Sequence, residues 1–424
     1  MSPSFWEFDT RYKTTPEKRD ATAPRRELAA QSQALLARLR AIPGRPQAMR
    51  YFEEIVGEGR RTEELRAAAA PRVGIFCNLI PEELVHAAGA IPVRLCAGAH
   101  ATIHSAEEIL PRDICPLVKS SFGMAVCGME PLSLCTAAVI PLCCDAKTKL
   151  AQTLNDYLPT WVVDIPGRRD YERDLADWRR EVKELADRLG KLTGRPITRN
   201  GLRESIEIYH ARAEAFRALY NLRKAHPHLL SGRDTFLVTE ASFSDDPMRW
   251  TDRLWALIRE LEERAKTAPN APAGFLPVLL TGAPVIWPNW KLTNVIEDHG
   301  ATVVADTLCS GTQRLFDPVQ VDEPTLDGML RALALRYFSA SICPSFADSS
   351  DRIDRLLELC ADFKVRGVIS HNLRLCMLFD MESARVRQVL RQKVIPLLAV
   401  QTDYGQEDVE QVKTRVEAFL EMLA

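Results

Sequence analysis

Short apolar runs that end at or next to a cysteine and lead into a helix-forming segment are the feature that most constrains the fold of this chain. RVGIFC (72–77) ends at Cys77, and AAVIPLC ends at Cys143 before the helical pattern DAKTKLAQTLNDYL. Each run has the length and apolar composition of a buried strand. Strands that alternate with helices form parallel sheets covered by those helices, so the pattern predicts a parallel α/β fold.

The alternation occurs twice along the 424 residues. Apolar strands are predicted at 72–77, 91–96, 137–143 and 161–166, and again at 275–282, 301–306, 365–371 and 394–403. Long amphipathic helical patterns separate the two sets, and helix-forming residues precede the first. We therefore predict a helical N-terminal region over 1–70, a first α/β lobe over 71–170, a helical bridge over 171–270 and a second α/β lobe over 271–424.

The two predicted lobes repeat a local sequence pattern. HAAGAIPVRLCAG (86–98) and EDHGATVVADTLCSG (297–311) share a Gly-Ala pair, an apolar strand and then Leu-Cys-x-Gly. The repeat predicts two similar Rossmann-like lobes. Ligands of open parallel sheets bind beyond the carboxyl ends of the strands, so the thiols that follow strands should converge on one cleft between the lobes.

Charge and hydropathy exclude several classes of partner. The chain has 55 Lys and Arg against 57 Asp and Glu, with no long run of one sign. This balance predicts no nucleic acid partner. No apolar run has the ~18 residues that a bilayer span requires, and the N-terminus is charged where a signal peptide is apolar. We therefore predict a cytoplasmic protein without a membrane partner, in which eleven cysteines favour metal-binding or catalytic roles over disulfides.

The cysteine spacing restricts the kind of site. C-x-x-C pairs are absent from the sequence, which argues against a zinc module and against a thioredoxin-like motif. Separated thiols at strand ends instead fit an iron–sulfur cluster clamped between two lobes. Cysteine is also among the most often buried residues, and Cys127, Cys135 and Cys360 are predicted to be core side chains. Neither lobe has G-x-G-x-x-G after its first strand, which argues against a nicotinamide-binding dehydrogenase.

The motifs resemble a known family. The first lobe carries GIFCNLIPEELVHAAGAIPVRLCAGAH, DICPLVKSSFGM and CDAKTKLAQTLNDYLPTWVVDIP, and the second carries TGAPVIWPNWKLTNVIEDHGATVVADTLCSG, SICPS and GVISHNLRLC. Together with the C-terminal segment, they resemble the component-D subunits of the (R)-2-hydroxyacyl-CoA dehydratase family over about residues 70–424. That family includes dehydratase subunits, benzoyl-CoA reductase subunits and single-chain homodimeric reductases with a double-cubane cluster.

The resemblance implies an iron–sulfur cofactor and its ligands. A 4Fe-4S cubane with one open iron would be held by Cys115, Cys144 and Cys376. An 8Fe-9S double cubane would also use Cys77, Cys309 and Cys343, with Cys96 as a further thiol. Ser345 and His371 lie near these cysteines in the sequence and are candidate catalytic proton donors or substrate contacts.

The resemblance also implies the reaction and the partners. Dehydration of a 2-hydroxyacyl-CoA removes a β-proton that no adjacent carbonyl acidifies, and a low-potential electron added to the thioester carbonyl overcomes this obstacle. In the family an ATP-hydrolysing iron–sulfur activator supplies that electron. The chain itself has no G-x-x-x-x-G-K-[ST] loop. The expected substrate is a CoA thioester or a small reducible molecule, and the expected assembly is a homodimer or a heterodimer with a related subunit.

Three further points stay open at the level of sequence. Lys147 and Lys149 could contribute to activator docking, although solvation on a helix face is the simpler interpretation. Trp287 and Trp290 could line a substrate channel or could pack in the core. A cluster-free α/β binding or scaffold protein with core thiols is the alternative to an iron–sulfur enzyme.

Overall fold

The computed structural model describes residues 8, 13–268, 270–339 and 343–424. Two parallel four-stranded sheets form the body of this described part. The strands of the first sheet are β1 (Arg72–Ile75), β2 (Ile91–Arg94), β3 (Ala137–Pro141) and β4 (Thr160–Val163). The strands of the second sheet are β5 (Leu276–Gly282), β6 (Ala301–Asp306), β7 (Gly367–Leu373) and β8 (Leu397–Thr402).

The two sheets have the same topology. The strand orders are β2-β1-β3-β4 and β6-β5-β7-β8, and every pairing is parallel. In each sheet the chain crosses first to one side of the first strand and then to the other, so a crevice opens beyond the carboxyl ends of the two central strands. The prediction of an α/β fold with two similar Rossmann-like lobes is confirmed.

Helices surround the sheets and connect them. The N-terminal helices are α1 (Thr22–Arg40), α2 (Met49–Val56) and α3 (Arg60–Ala67). The first lobe has α4 (Glu82–Ala87), α5 (Ile103–Glu107), α6 (Pro116–Val126) and α7 (Asp145–Leu154). Between the sheets come α8 (Asp174–Thr193), α9 (Arg199–Ala225), α10 (Gly232–Ala241) and α11 (Pro247–Thr267). The last helices are α12 (Lys291–Asp298), α13 (Leu326–Ser339), α14 (Ser350–Asp362), α15 (Met377–Gln392) and α16 (Val409–Leu423).

The four predicted regions are compatible with this order of elements, and their exact boundaries stay a prediction. The start of the helical N-terminal region, apart from residue 8, lies outside the described residues, as do 269 in the bridge and 340–342 in the second lobe. Within the described ranges, no helix is long and apolar enough to cross a membrane.

Helices that cross between the lobes hold the two sheets against each other. Helix α13 follows β6 of the second lobe in sequence, yet it packs on α8, and its residues Met329 and Leu333 join the apolar core of the first lobe. Trp178 of α8 is buried there, and its indole N–H donates to the carbonyl of Ala334 at 2.9 Å. Each fully buried side chain of this size contributes about 1.5–3 kcal/mol. This shared core therefore fixes the position of the strand ends of one sheet relative to those of the other sheet.

Candidate functional site

A cleft of about 970 Å³ lies at the carboxyl ends of both sheets, and cysteines from both lobes line it. The lining thiols belong to Cys77, Cys115, Cys143, Cys144, Cys309, Cys343 and Cys376. All six cysteines predicted as ligands therefore lie in one cleft, and Cys143 joins them. Their role as ligands stays a prediction.

One set of these cysteines, the Lys147 thiol group, consists of Cys77, Cys143 and Cys343. The sulfur atoms of Cys77 and Cys143 are 3.8 Å apart. Cys143 also makes a hydrogen bond with the Cys343 thiol. The ammonium group of Lys147 contacts the sulfur of Cys77. The ends of two strands of the first lobe and a loop of the second lobe thus meet around one half-buried cation.

The second set, the Cys376 thiol group, consists of Cys115, Cys144 and Cys376. The thiols of Cys115 and Cys376 are hydrogen-bonded to each other, and Cys144 lies close enough to interact electrostatically with both. Each of the three cysteines directly precedes a helix, namely α6, α7 and α15. The partial positive charge of a helix N-terminus favours thiolate over thiol. A hydrogen bond with the Cys376 thiol lowers the pKa of Cys115 and raises the pKa of Cys376, while a hydrogen bond with Cys143 lowers the pKa of Cys144 to about 6.

The two groups are related by an exchange between the lobes. Cys115 of the first lobe and Cys343 of the second both stand in an Ile-Cys-Pro motif. Cys115 meets Cys376, which follows β7 of the second sheet. Cys343 meets Cys143, which follows β3 of the first sheet. The motif of each lobe therefore meets the end of the equivalent strand of the other lobe.

The surroundings of the Lys147 thiol group lower the pKa of two of its members. A hydrogen bond from the Cys143 thiol lowers the pKa of Cys77 to about 6, and Lys147 acts in the same direction. The Cys143 thiol likewise lowers the pKa of Cys343 to about 6, with a further contribution from the Ser345 hydroxyl. Cys309 differs, because burial raises its pKa to about 12. Thiolates are the metal-binding form of cysteine. The pKa values of Cys143 and Cys376 are raised as well, so a metal would have to displace the proton from each of these three thiols.

Lys147 and Lys149 occupy different environments although both lie in α7. Lys149 is exposed, as the solvation interpretation expects. For Lys147 that interpretation is wrong. Burial opposes its charge, but electrostatic interaction with Cys143 and Cys77 raises the pKa of its ammonium group well above the usual value. Lys147 and Lys149 are two residues apart on α7, so their side chains point in different directions. The amphipathic spacing of the helix did not reveal that Lys147 points inwards.

The two candidate proton donors are placed differently. Ser345 lines the cleft and lies beside Cys343. His371 is buried in β7 outside the lining, and its Nδ1 lies 2.9 Å from the carbonyl oxygen of Ala283. Burial lowers the pKa of His371 to about 4, so the ring is neutral near pH 7. The surroundings of His371 thus do not favour its predicted role, which stays untested.

The donor set fits an iron–sulfur cluster better than a single metal ion. Within the described ranges, no three His, Cys, Asp or Glu side chains are arranged as ligands of one ion. Cysteines that hold a cluster bind separate iron atoms and therefore border a volume, as the lining thiols do here. Ligands that are all thiolates suit iron–sulfur clusters.

The sequence analysis did not place Cys143 among the candidate ligands, although it directly precedes the predicted ligand Cys144. In the structure Cys143 belongs to the Lys147 thiol group, and its thiol is also hydrogen-bonded to Cys144, which lies near Cys115 and Cys376 and so connects the two groups. Cys96, held in reserve as a ligand, borders a separate cavity instead of the cleft. The prediction for the three core thiols is confirmed, since Cys127, Cys135 and Cys360 are buried in apolar clusters.

Comparison with known proteins identifies the family of this chain. The model of the 2-hydroxyglutaryl-CoA dehydratase D-component family matches residues 77–423. The chain belongs to this family. The match includes all the cysteines that line the cleft.

Individual relatives agree with the family assignment. The Escherichia coli (strain K12) protein YjiM, provisionally named a dehydratase subunit, is 30% identical over 85% of this chain and 93% of its own length. The beta subunit of (R)-2-hydroxyglutaryl-CoA dehydratase from Acidaminococcus fermentans is 24% identical over 84% of this chain and 94% of its own. One of the benzoyl-CoA reductase subunits from Thauera aromatica is 24% identical over 68% and 74%, respectively. The expectation that the chain is an enzyme component is confirmed.

Proposed function

We propose that the thiol cleft holds an iron–sulfur cluster and that the chain is the electron-accepting component of a dehydratase- or reductase-type enzyme. The observation that carries this proposal is the convergence of cysteines from both lobes on one open cleft. A core thiol packs against apolar neighbours, whereas these thiols border a volume of about 970 Å³. Core packing supports the alternative, a cluster-free binding or scaffold protein, for Cys127, Cys135 and Cys360, which line no part of the cleft, and in part for Cys143, which lines the cleft and is also buried in an apolar cluster.

The presence of two thiol groups favours a double cubane over a single one. Cys115, Cys144 and Cys376 would hold one half of it. Cys77, Cys143 and Cys343 would hold the other half, with Cys143 in place of Cys309 because the Cys143 thiol is hydrogen-bonded to both Cys77 and Cys343. A single cubane would use only the first set. The pairing of each Ile-Cys-Pro motif with the opposite lobe supports two equivalent halves.

The remaining side chains of the cleft prepare it for low-potential chemistry. When bound, the cluster would supply a single electron to a carbonyl-containing or otherwise reducible substrate. Lys147 offsets the negative charge that several thiolates bring into a buried site. Phe346 and Phe379 line the cleft and limit the access of water. The hydroxyl of Ser345 can hold or donate a proton at Oγ beside Cys343.

The proposed substrate is a 2-hydroxyacyl-CoA or a small reducible molecule, and the proposed electron source is an ATP-hydrolysing iron–sulfur activator. The two substrates differ in the assembly they require. Several relatives are named beta subunits of CoA dehydratases, which supports a heterodimer with a related subunit for the dehydratase reaction. The double-cubane reductase requires only a homodimer.

Iron and acid-labile sulfide per chain, measured on protein purified without oxygen, test the proposal. About eight iron atoms support the double cubane and about four support the single cubane. A chain that binds no iron after reconstitution contradicts both and leaves the cluster-free alternative. Light scattering on the same sample, alone and with a related subunit, separates the homodimer from the heterodimer.

A further inference from the structure

A second cavity, of about 310 Å³, lies beside β2 and shares no lining residue with the thiol cleft. Helices α2 and α3 and the loop 286–288 of the second lobe complete its wall. Trp287 lines it, whereas Trp290 is buried in the core. Cys96 borders the cavity and packs on the same small apolar cluster as Cys115 and Cys376. The cavity therefore reaches close to the Cys376 thiol group from another side.

Arg94, at the end of β2, is the polar centre of this cavity. Its guanidinium carbon lies 3.8 Å from the centre of the Phe243 ring, which fixes the plane of the group. Its Nη1 is buried and makes no hydrogen bond within the described residues. The nearest acidic oxygen, Oε2 of Glu240, is 3.9 Å from Nη1, which is too far for a hydrogen bond. A buried N–H group without an acceptor is costly, so this position calls for an acceptor atom.

The charges around Arg94 define what kind of acceptor is missing. Glu240 is half-buried beside the guanidinium and supplies the compensating negative charge, and the Arg94 side chain also makes a hydrogen bond with Cys96. A second carboxylate in the cavity would be repelled by Glu240 in a site of low polarity. A neutral carbonyl oxygen satisfies the hydrogen bond without adding charge. The rest of the wall carries the charged side chains of Arg61 and Glu130 but is mainly apolar, with residues such as Ile55, Leu65 and Ile286, and this apolar part suits an apolar body.

We infer that this second cavity binds a small apolar molecule through a neutral carbonyl oxygen that accepts a hydrogen bond from Arg94. Ketones, amides and thioesters share this chemistry. The volume of about 310 Å³ is at the lower end of the range for small-molecule sites. Because the site is built from residues outside the thiol cleft, binding does not require a cluster, and the inference can fail while the proposed function holds.

Calorimetric titration of the full chain with 2-pentanone and with butanoate tests the inference. The two probes have the same shape, but only butanoate carries a charge. We expect 2-pentanone to bind at least ~10-fold more tightly than butanoate, and Arg94→Met to weaken its binding at least ~10-fold. Arg180→Met is the matched control, since Arg180 is exposed and pairs with Asp177 outside the cavity. Equal binding of the two probes, or no binding, overturns the inference.

Glu240→Gln provides a second test that does not depend on the stability of the Arg94 variant. The substitution is isosteric and removes the negative charge beside Arg94. We expect the preference to change towards butanoate by at least ~10-fold, because the guanidinium then lacks a counter-charge. An unchanged preference in this variant overturns the assignment of a neutral carbonyl.

Discussion

The two lobes share one topology but carry different side chains at equivalent positions of the cleft. Cys144 precedes α7 and Cys376 precedes α15, and each helix follows the third strand of its lobe. Three residues after these cysteines, the first lobe has Lys147 and the second has Phe379, and both line the cleft. The repeated fold thus sets the positions of the thiols, while single substitutions give one half of the cleft a cation and the other an aromatic wall.

The first strand of each sheet shows why the lobes cannot supply identical thiols. Cys77 follows β1 with φ +63°, and Gly282 ends β5 with φ +109°, so both chains turn through the left-handed region. A Cβ at Gly282 would lie 2.1 Å from the carbonyl oxygen of His371. A side chain is therefore excluded at that position, and only the first lobe can place a cysteine there.

Removal of a thiol from the Cys376 group should have the largest effect. We expect Cys376→Ala to lose about half of the bound iron or more, because the other lobe offers no replacement at that helix end. Iron per chain after anaerobic purification is the measurement. Cys360→Ala is the control in the same lobe, because Cys360 packs in the apolar core. Full iron content in the Cys376 variant would contradict the proposed ligand set.

The pairing of cysteines across the lobes predicts how double substitutions combine. Cys115 and Cys376 serve one group, so the double alanine variant should lose no more iron than either single variant. Cys343→Ala combined with Cys376→Ala should instead lose nearly all iron, since it affects both groups. If the iron lost in the Cys115→Ala and Cys376→Ala variants simply adds in the double variant, the two thiols act separately.

His371 makes the stability of the second lobe depend on pH at a strand position where the first lobe has no titratable side chain. It stands five residues before Cys376, where the first lobe has Val139 before Cys144. Burial lowers the pKa of His371 to about 4 from its ordinary 6.5, so protons bind first to the unfolded chain as the pH falls. We therefore expect the free energy of unfolding to be unaffected by the titration of His371 above pH 6.5 and to fall by about 3 kcal/mol between pH 6.5 and 4.

Denaturant unfolding across this pH range, on the wild type and on His371→Val, measures the effect. The variant introduces the residue of the first lobe and should remove this part of the pH dependence. Its overall stability is expected to fall at every pH because the contact with Ala283 is lost. Parallel pH profiles for the two proteins would show that His371 does not titrate as described.

The sequence predicted most of the fold because each strand carries its own apolar signal. The predicted segment 301–306 coincides with β6, and the other seven overlap the observed strands. Helix α13 was not predicted, since its core partner Trp178 lies more than 150 residues earlier and on another lobe. Hydrophobic periodicity predicts which face of a helix or strand is apolar, but it does not predict which other helix or strand packs on that face.

The candidate site was predictable in its residue types but not in its pairing. Strand ends and helix starts identified the cysteines, because the position along the chain already places them at one edge of a sheet. The meeting of Cys115 with Cys376 depends on how the lobes face each other, which no local pattern encodes. Lys147 was misjudged for the same reason, since its burial comes from the Cys77 strand end and not from its own helix.

Lys147 provides the finest test of the difference between the lobes. A cation beside several thiolates should make an electron easier to add, so Lys147→Met is expected to lower the reduction potential of a bound cluster. A Coulomb interaction of roughly 2–3 kcal/mol, at an effective dielectric constant of about 20, corresponds to a shift on the order of 100 mV. Anaerobic redox titration followed by visible absorption is the measurement, with iron per chain determined on the same sample.

Two matched variants make this last effect specific. Lys149→Met removes the same charge from the same helix at an exposed position and should leave the potential within a few tens of mV, because solvent screens its charge. Lys147→Arg keeps the charge and should recover most of the shift. Equal shifts of the reduction potential in the Lys147→Met and Lys149→Met variants would contradict this prediction. They would mean that the net charge of the chain, and not the contact of Lys147 with Cys77, sets the potential. The chemical difference between the two lobes would then lie in Phe379 alone.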